Sequence, residues 1–362
     1  TGEAVAAWEY RSGTPGTLIQ VARLPSPSAR WRSGATFASA PPGSIRPTLG
    51  FDDGGALTAS WYWNGVVQTA SRPALGTFSA ARTLTAPGPG VDAPALAVGA
   101  LGDAVVAWDR FADPVRTIES ASRAPGGDWA PPERIAPVET APNPGPYLSP
   151  PSVALDSSGR ATALWGIAGA GDAFRILTAD RPAGGPWSAP FLLEDARLIN
   201  GPLRMAGNPA GGAVAAWPGR GPRGRSVVRV SARPAGGATW SAPVTLSSPA
   251  REAGQPSIAL DRAGDAAVGW TERLATGGSI VRVALRVAGA GSWQAAQTIG
   301  GAERRPRGIE GFLTASLPGV AFGGRRLTAV WTECSLARGS RIQLFVERCA
   351  IRSTSRALPR GG

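Results

Sequence analysis

One tryptophan recurs along the whole chain, at Trp8, Trp61, Trp108, Trp165, Trp217, Trp270 and Trp331. The spacing runs from 47 residues (Trp61 to Trp108) to 61 (Trp270 to Trp331). Each unit keeps one order. Its first half reads "PSVALDSSGRATALW" at 151–165, "PALAVGALGDAVVAW" at 94–108, "PSIALDRAGDAAVGW" at 256–270 and "PGVAFGGRRLTAVW" at 318–331, in each case a strand, a tight turn and a second strand. A variable loop follows, then a third strand such as "SVVRVSAR", a glycine-rich turn and a short fourth strand such as "APVTLS". Four strands joined by short turns make one blade, and a period near fifty residues belongs to propellers and stacked arrays. The expectation is therefore an all-β chain folded as a β-propeller of seven blades, each of four antiparallel strands. Six or eight blades are alternatives, and a two-layer sandwich is the runner-up.

The approximate units are 1–42, 43–90, 91–146, 147–199, 200–252, 253–308 and 309–362, together one propeller domain. The first begins inside a repeat, as expected of a piece of a longer chain. In the second unit Asn64-Gly65 lies between two β-prone runs, the strongest short hairpin signal. It sets Trp61 opposite Gln68 and Leu57 opposite Arg72. Along the second strands both faces are small and apolar, as in Ala213, Ala215 and Trp217 against Val214 and Ala216. Strands buried on both faces lose polar alternation, and blades packed between neighbours are such strands. With 49 Gly and 34 Pro among 362 residues, the composition suits turns and strands rather than helices.

An arginine near the end of the third strand recurs at Arg23, Arg72, Arg123, Arg181, Arg233, Arg286 and Arg348. A position used once per blade reads first as a lock, by stacking on a tryptophan or bonding turn carbonyls. A ligand-binding ring is the other reading.

The turn that follows, "RPAGGATW" at Arg233–Trp240, resembles the Asp box of the bacterial neuraminidase repeats in sialidase-like propellers. Gly237 and Trp240 occupy the family's glycine and tryptophan places. Arg233 stands where that family has serine, and Ala235 where it has the defining aspartate. The other copies, "RPAGGPW", "RAPGGDW", "RVAGAGSW" and "RPALGTF", are degenerate too. The resemblance implies a sialidase-like propeller with this turn between the third and fourth strands. Sialidase activity would further imply an arginine triad, a tyrosine nucleophile with its glutamate, and an acid/base aspartate. With Tyr10, Tyr62 and Tyr147 as the only tyrosines and no early "RIP" motif, no catalytic residue carries over.

Composition narrows the chemistry further. The chain has no histidine, which removes the commonest general base and metal ligand. It has no lysine either, so no phosphate loop of the lysine type can form. No catalytic set, metal site or cofactor motif is present in the sequence. All 37 basic residues are arginine and the net charge is +12. GC-rich coding would give this composition, and so would attraction for an acidic polymer. No nucleic-acid-binding signature supports a nucleic acid as that polymer. No apolar run is long enough to span a bilayer.

In a propeller, loops joining second to third strands and fourth strands to the next blade share one end of the blades, and here those are the variable loops. Binding residues gather on loops held by a rigid scaffold. The candidates there are Glu9, Tyr10, Arg11, Tyr62, Trp63, Asp109, Arg110, Arg220, Arg223, Glu272, Arg273 and Glu333, with further arginines at Arg225 and at Arg304, Arg305 and Arg307. Carboxylates, arginines and aromatics together suit a polysaccharide or other acidic polymer, or a protein partner. The leading reading is a monomeric binding domain, secreted or at the cell surface. A glycoside hydrolase or lyase using carboxylates such as Asp109 and Glu272 is one alternative, and a purely structural repeat of a larger surface protein is another. Cys334 and Cys349 suggest a disulfide. A tight hairpin centred on residues 337–338 would oppose this, pairing Cys334 with Arg341.

Overall fold

The computed structural model describes residues 3–11, 17–26, 29–30, 32–40, 47–74, 76–86, 90–91, 94–112, 115–136, 139–140, 149–168, 173–197, 201–275, 278–301, 314–323, 326–338 and 344–357. The chain is all-β, a seven-bladed propeller. Blade one holds β1 (Ala4–Arg11), β2 (Thr17–Leu24) and β3 (Arg32–Ala40). Blade two holds β4 (Thr48–Phe51), β5 (Leu57–Trp63), β6 (Val66–Arg72) and β7 (Arg82–Thr83). Blade three holds β8 (Ala95–Val98), β9 (Ala104–Ala112), β10 (Val115–Arg123), β11 (Glu133–Arg134) and the short β12 (Glu139–Thr140). Blade four holds β13 (Ser149–Leu155), β14 (Ala161–Ala168), β15 (Ala173–Arg181) and β16 (Phe191–Arg197). Blade five holds β17 (Arg204–Gly207), β18 (Ala213–Arg220), β19 (Ser226–Arg233) and β20 (Val244–Thr245). Blade six holds β21 (Ala253–Leu260), β22 (Ala266–Arg273), β23 (Ser279–Arg286) and β24 (Gln297–Gly301), and blade seven β25 (Thr314–Gly323), β26 (Arg326–Arg338) and β27 (Leu344–Ala357). Among the described residues, blades one and seven have three strands rather than four. No helix among them is long and apolar enough to cross a membrane.

Two compact units divide the chain: Thr1–Trp165 with Ala179–Pro190, and Gly166–Thr178 with Phe191–Gly362. In each, the recurrent tryptophan wedges its blade against the preceding one. In the first unit Trp61 packs with Ile19 of blade one, and Trp108 with Val67 and Leu84 of blade two. In the second, Trp270 packs with Ala216, Val228 and Val230 of blade five, and Trp331 with Val281 of blade six. Gly300 on β24 leaves room for this last wedge, since a Cβ there would land on the ring of Trp331. Burial on both strand faces is plainest in β18, where only Arg220 is exposed.

The turns between first and second strands follow from short-range chemistry. An Asp or Asn closes the first strand and its side chain accepts from the backbone four residues on. Asp52 takes Ala56 N at 2.8 Å, Asp156 takes Arg160 N at 3.0 Å, Asn208 takes Gly212 N at 2.9 Å and Asp261 takes Asp265 N at 2.8 Å. Three residues on, the chain needs positive φ, as at Gly159 (+76°) and Gly264 (+97°), which is why glycine recurs there.

The third-strand arginines are locks. Arg72 reaches Glu3 of blade one at 2.7 Å. Arg123 stacks over Trp129 at 5.2 Å and donates to Thr58 and Ser71 of blade two at 3.0 Å each. Burial pushes its guanidinium below the ordinary pKa, while the charges of Asp52 and Asp103 push it back up. Arg181 pairs with Glu133 of blade three at 3.0 Å and donates to Gly185 O. Arg233 lies over Trp240 at 5.4 Å, and Arg286 donates to Ala290 O at 3.0 Å.

The asparagine-glycine hairpin pairs Trp61 with Gln68 and Leu57 with Arg72, the register its dipeptide dictates. Blade seven departs from expectation. Its hairpin does not turn at 337–338: β26 runs to Arg338 and β27 starts at Leu344, with a shift between Ser335 and Leu336. Arg348 consequently faces Ser335, and the place of the lock, opposite the residue four before the tryptophan, belongs to Arg356 against Leu327. Arg356 donates to Gln297 of blade six at 2.6 Å.

The same register puts Cys334 directly opposite Cys349. Their side chains lie outside the described residues. Directly paired antiparallel residues have Cα separations of about 4.5–5.5 Å, inside the range a disulfide requires. The isolated protein is therefore expected to titrate as thiol-free until reduced. Reduction should then cost about 3 kcal/mol, the value for a closed loop of about 15 residues. A thiol count of two in the unreduced, denatured protein would contradict this.

Candidate functional site

A buried indole N–H is stabilised by an acceptor, and in three blades a carboxylate near the loop end supplies one, whereas the buried Trp165 Nε1 has none among the described residues. In blade six Trp270 and Glu272 are two apart on β22 and so share a face. Glu272 is 1 % exposed and accepts from Trp270 Nε1 at 3.0 Å and from Ser248 N at 3.2 Å. It also pairs with Arg251 at 3.1 Å. In blade three the acceptor is Glu119 on β10, opposite Trp108, which takes Trp108 Nε1 at 3.0 Å and Arg110 Nε at 2.9 Å. In blade five it is Glu194, from β16 of the preceding blade, which takes Trp217 Nε1 at 2.6 Å and pairs with Arg229 at 2.8 Å. Three carboxylates from three different strands thus answer one requirement.

This arrangement fixes the standing of the sequence candidates. Glu272, expected on an open surface, is a buried support for Trp270 and Arg251. Asp109 is buried on β9, and Arg110 is held by Glu119. Tyr62 and Trp63 are half-buried and packed, Tyr62 against the core around Trp108 and Trp63 against that around Trp61. Glu9, Tyr10 and Arg11 lie on β1 and Glu333 on β26, but their side chains are outside the described residues, as are Arg304, Arg305 and Arg307 altogether. Arg220, Arg223 and Arg273 are exposed.

Arg273, and with it Arg225, stands at a formed cleft. Between blades five and six, a cleft of about 680 Å³ is lined by Arg225, Arg251, Glu252, Arg273, Arg282 and Thr298, with Ala250, Leu274, Ala275 and Ile280. One wall is the loop between β18 and β19, "GRGPRGR", a single 3-10 turn over Pro222–Gly224 in which Arg223 takes φ +63°. Arg225 at its end donates to Ala250 O. The floor is the connection into blade six. Glu252 accepts from Ser226 N at 2.8 Å through its side chain and from Arg273 N at 2.8 Å through its carbonyl. On the far wall Arg282 donates to Thr298 Oγ1 at 2.8 Å and to Ala296 O at 2.7 Å, while its buried Nε has no acceptor among the described residues.

The sequence reading missed Arg251, Glu252 and Arg282. Arg282 had a weak signal: it faces Trp270 across the hairpin, where other blades carry Gln68, Glu119 and Arg229. Arg251 had none, because its place beside Glu272 depends on the β21–β22 register, which shifts between Gly254 and Ser257 and sets Ala253 opposite Glu272.

A second cleft, of about 500 Å³, lies at the tight-turn end of blades three and four and includes Asp103, Asp128, Arg123 and Arg181. Both arginines there are engaged as locks. Among the described residues no three His, Cys, Asp or Glu side chains gather where a metal could be held.

No protein-family model matches the chain, and no curated protein matches it in sequence. Solved structures do match in fold. A lectin from Burkholderia pseudomallei is 14 % identical with a TM-score of 0.56, over 96 % of this chain and 99 % of that one. An ulvan lyase of polysaccharide lyase family 25 is 9 % identical with a TM-score of 0.56, over 95 % and 92 %. A protein from Lactobacillus plantarum is 15 % identical with a TM-score of 0.54, over 96 % and 95 %. At these identities the likeness is one of fold, and that fold is the seven-bladed β-propeller.

Proposed function

We propose that this propeller is an extracellular glycan-binding module whose sugar chain lies in the cleft between blades five and six. One observation carries the reading. Arg273 projects, exposed and without a side-chain partner among the described residues, at a cleft whose walls are fixed from beneath by Glu252 and Glu272. A volume near 680 Å³ falls within the usual range for ligand sites, about 300–1,000 Å³. The loops that build it are the variable ones, placed on a rigid scaffold. A lectin and a polysaccharide lyase among proteins of this fold agree with a carbohydrate role.

A catalytic role for Glu272 fits poorly, since it faces three donors and is shut from solvent. The test is a glycan array probed with the wild-type chain and with an Arg251→Ala/Arg273→Ala double variant of matched thermal unfolding. Binding to at least one class of glycan is expected, reduced about tenfold or more in the variant. Binding to glycans that the double variant leaves intact would remove the cleft from the proposal, and silence on every glycan would remove the function.

A further inference from the structure

We infer that the cleft selects acidic polysaccharides and grips them through their carboxylate or sulfate groups; this rests on the glycan reading above. Charge is the first ground. Among the described residues, Arg225, Arg251, Arg273 and Arg282 line the cleft with Glu252, and the buried Glu272 lies behind Arg251, so four positive charges stand against two negative ones. The second ground is what the lining lacks. Among the described residues that line it there is no Trp, Tyr or Phe, so these offer a neutral sugar no aromatic face for its apolar side. Recognition is left to hydrogen bonds and charge.

Donor supply is the third ground. A guanidinium carries five N–H donors in a planar fork that matches the two oxygens of a carboxylate or two of a sulfate. Arg225 spends a donor on Ala250 O and Arg251 on Glu272. The Arg273 side chain has no partner among the described residues, and it is exposed.

A polymer with an acidic group on successive sugars could engage Arg273 with one group and Arg225 or Arg251 with another.

The experiment titrates the whole chain calorimetrically with polygalacturonate (carboxylate only), dextran sulfate (sulfate only) and neutral dextran, with a single-stranded DNA oligonucleotide as a further polyanion. One or both acidic glycans should bind, and which of them binds identifies the anionic group. Neutral dextran should bind at least tenfold more weakly. Arg273→Ala should weaken acidic binding about tenfold, and Arg273→Lys, which keeps the charge but loses the fork, by an intermediate factor. Raising salt from about 0.05 to about 0.5 M should weaken it several-fold, as the Debye length shrinks. Arg134→Ala, an exposed change of equal charge in the other unit, should have no effect. Equal loss in Arg134→Ala and Arg273→Ala would reduce the attraction to net charge and overturn the inference. So would DNA binding tighter than either glycan. Neutral dextran bound as tightly as the acidic polymers, in an Arg273-dependent way, would overturn it while leaving the glycan-binding reading in place; no binding by any glycan would fell both.

Discussion

Trp270→Ala should lower the free energy of unfolding by about 3–5 kcal/mol, the range for removing a large aromatic side chain from a packed core. The indole is fully buried among Ala216, Val228, Val230 and Val268, so its loss opens a cavity between two sheets rather than within one. It also leaves Glu272 without one of its donors. Trp8, the same repeat position in blade one, is 37 % exposed, and Trp8→Ala should cost less than about half as much. Chemical denaturation of the two variants checks the contrast. Equal losses would mean that the recurrent tryptophan does not stabilise by wedging.

Glu272→Ala should cost about 2–4 kcal/mol, because the change strands a buried indole N–H and the Ser248 N–H while removing the partner of Arg251. The figure sits below that for a fully buried ion pair, since Arg251 is 41 % exposed and can turn to water. Glu272→Gln keeps an acceptor oxygen for the two N–H groups and should recover about half of the loss. Both variants should weaken acidic-glycan binding more than their stability alone explains, because Arg251 loses the group that aims it into the cleft. Titration calorimetry on the folded variants measures this. A Glu272→Ala protein as stable as the parent would show that the carboxylate is not the support described here.

The two outcomes concern one design seen from two sides. A seven-blade array of small apolar strands packs closely only if each gap holds one large side chain, and tryptophan supplies it at the cost of a polar N–H buried far from water. Glu119, Glu194 and Glu272 meet that need, and in blades three and six the same carboxylate also holds an arginine that reaches the loop end, Arg110 or Arg251. A packing requirement thus orders the charged residues from which the candidate cleft is built.

What the sequence alone determined is short-range. The Asp- and Asn-capped turns, the asparagine-glycine hairpin with Trp61 opposite Gln68, and the arginine locks such as Arg233 on Trp240 and Arg286 on Ala290 each arise from residues a few positions apart, whose steric and hydrogen-bonding preferences act before any packing. Strand order and blade number follow from repeating them. The tertiary structure decided the rest. The acceptor of the tryptophan N–H lies 11 residues after Trp108, 23 before Trp217 and two after Trp270, so no fixed spacing announces it. The lock of blade seven moved from Arg348 to Arg356 because no strong turn dipeptide pins that hairpin, leaving its register to packing. Arg225 reaches the cleft beside Arg251 and Arg273 only because the β18–β19 loop of blade five docks on blade six, and contacts between sheets depend on a shape that local preference does not encode.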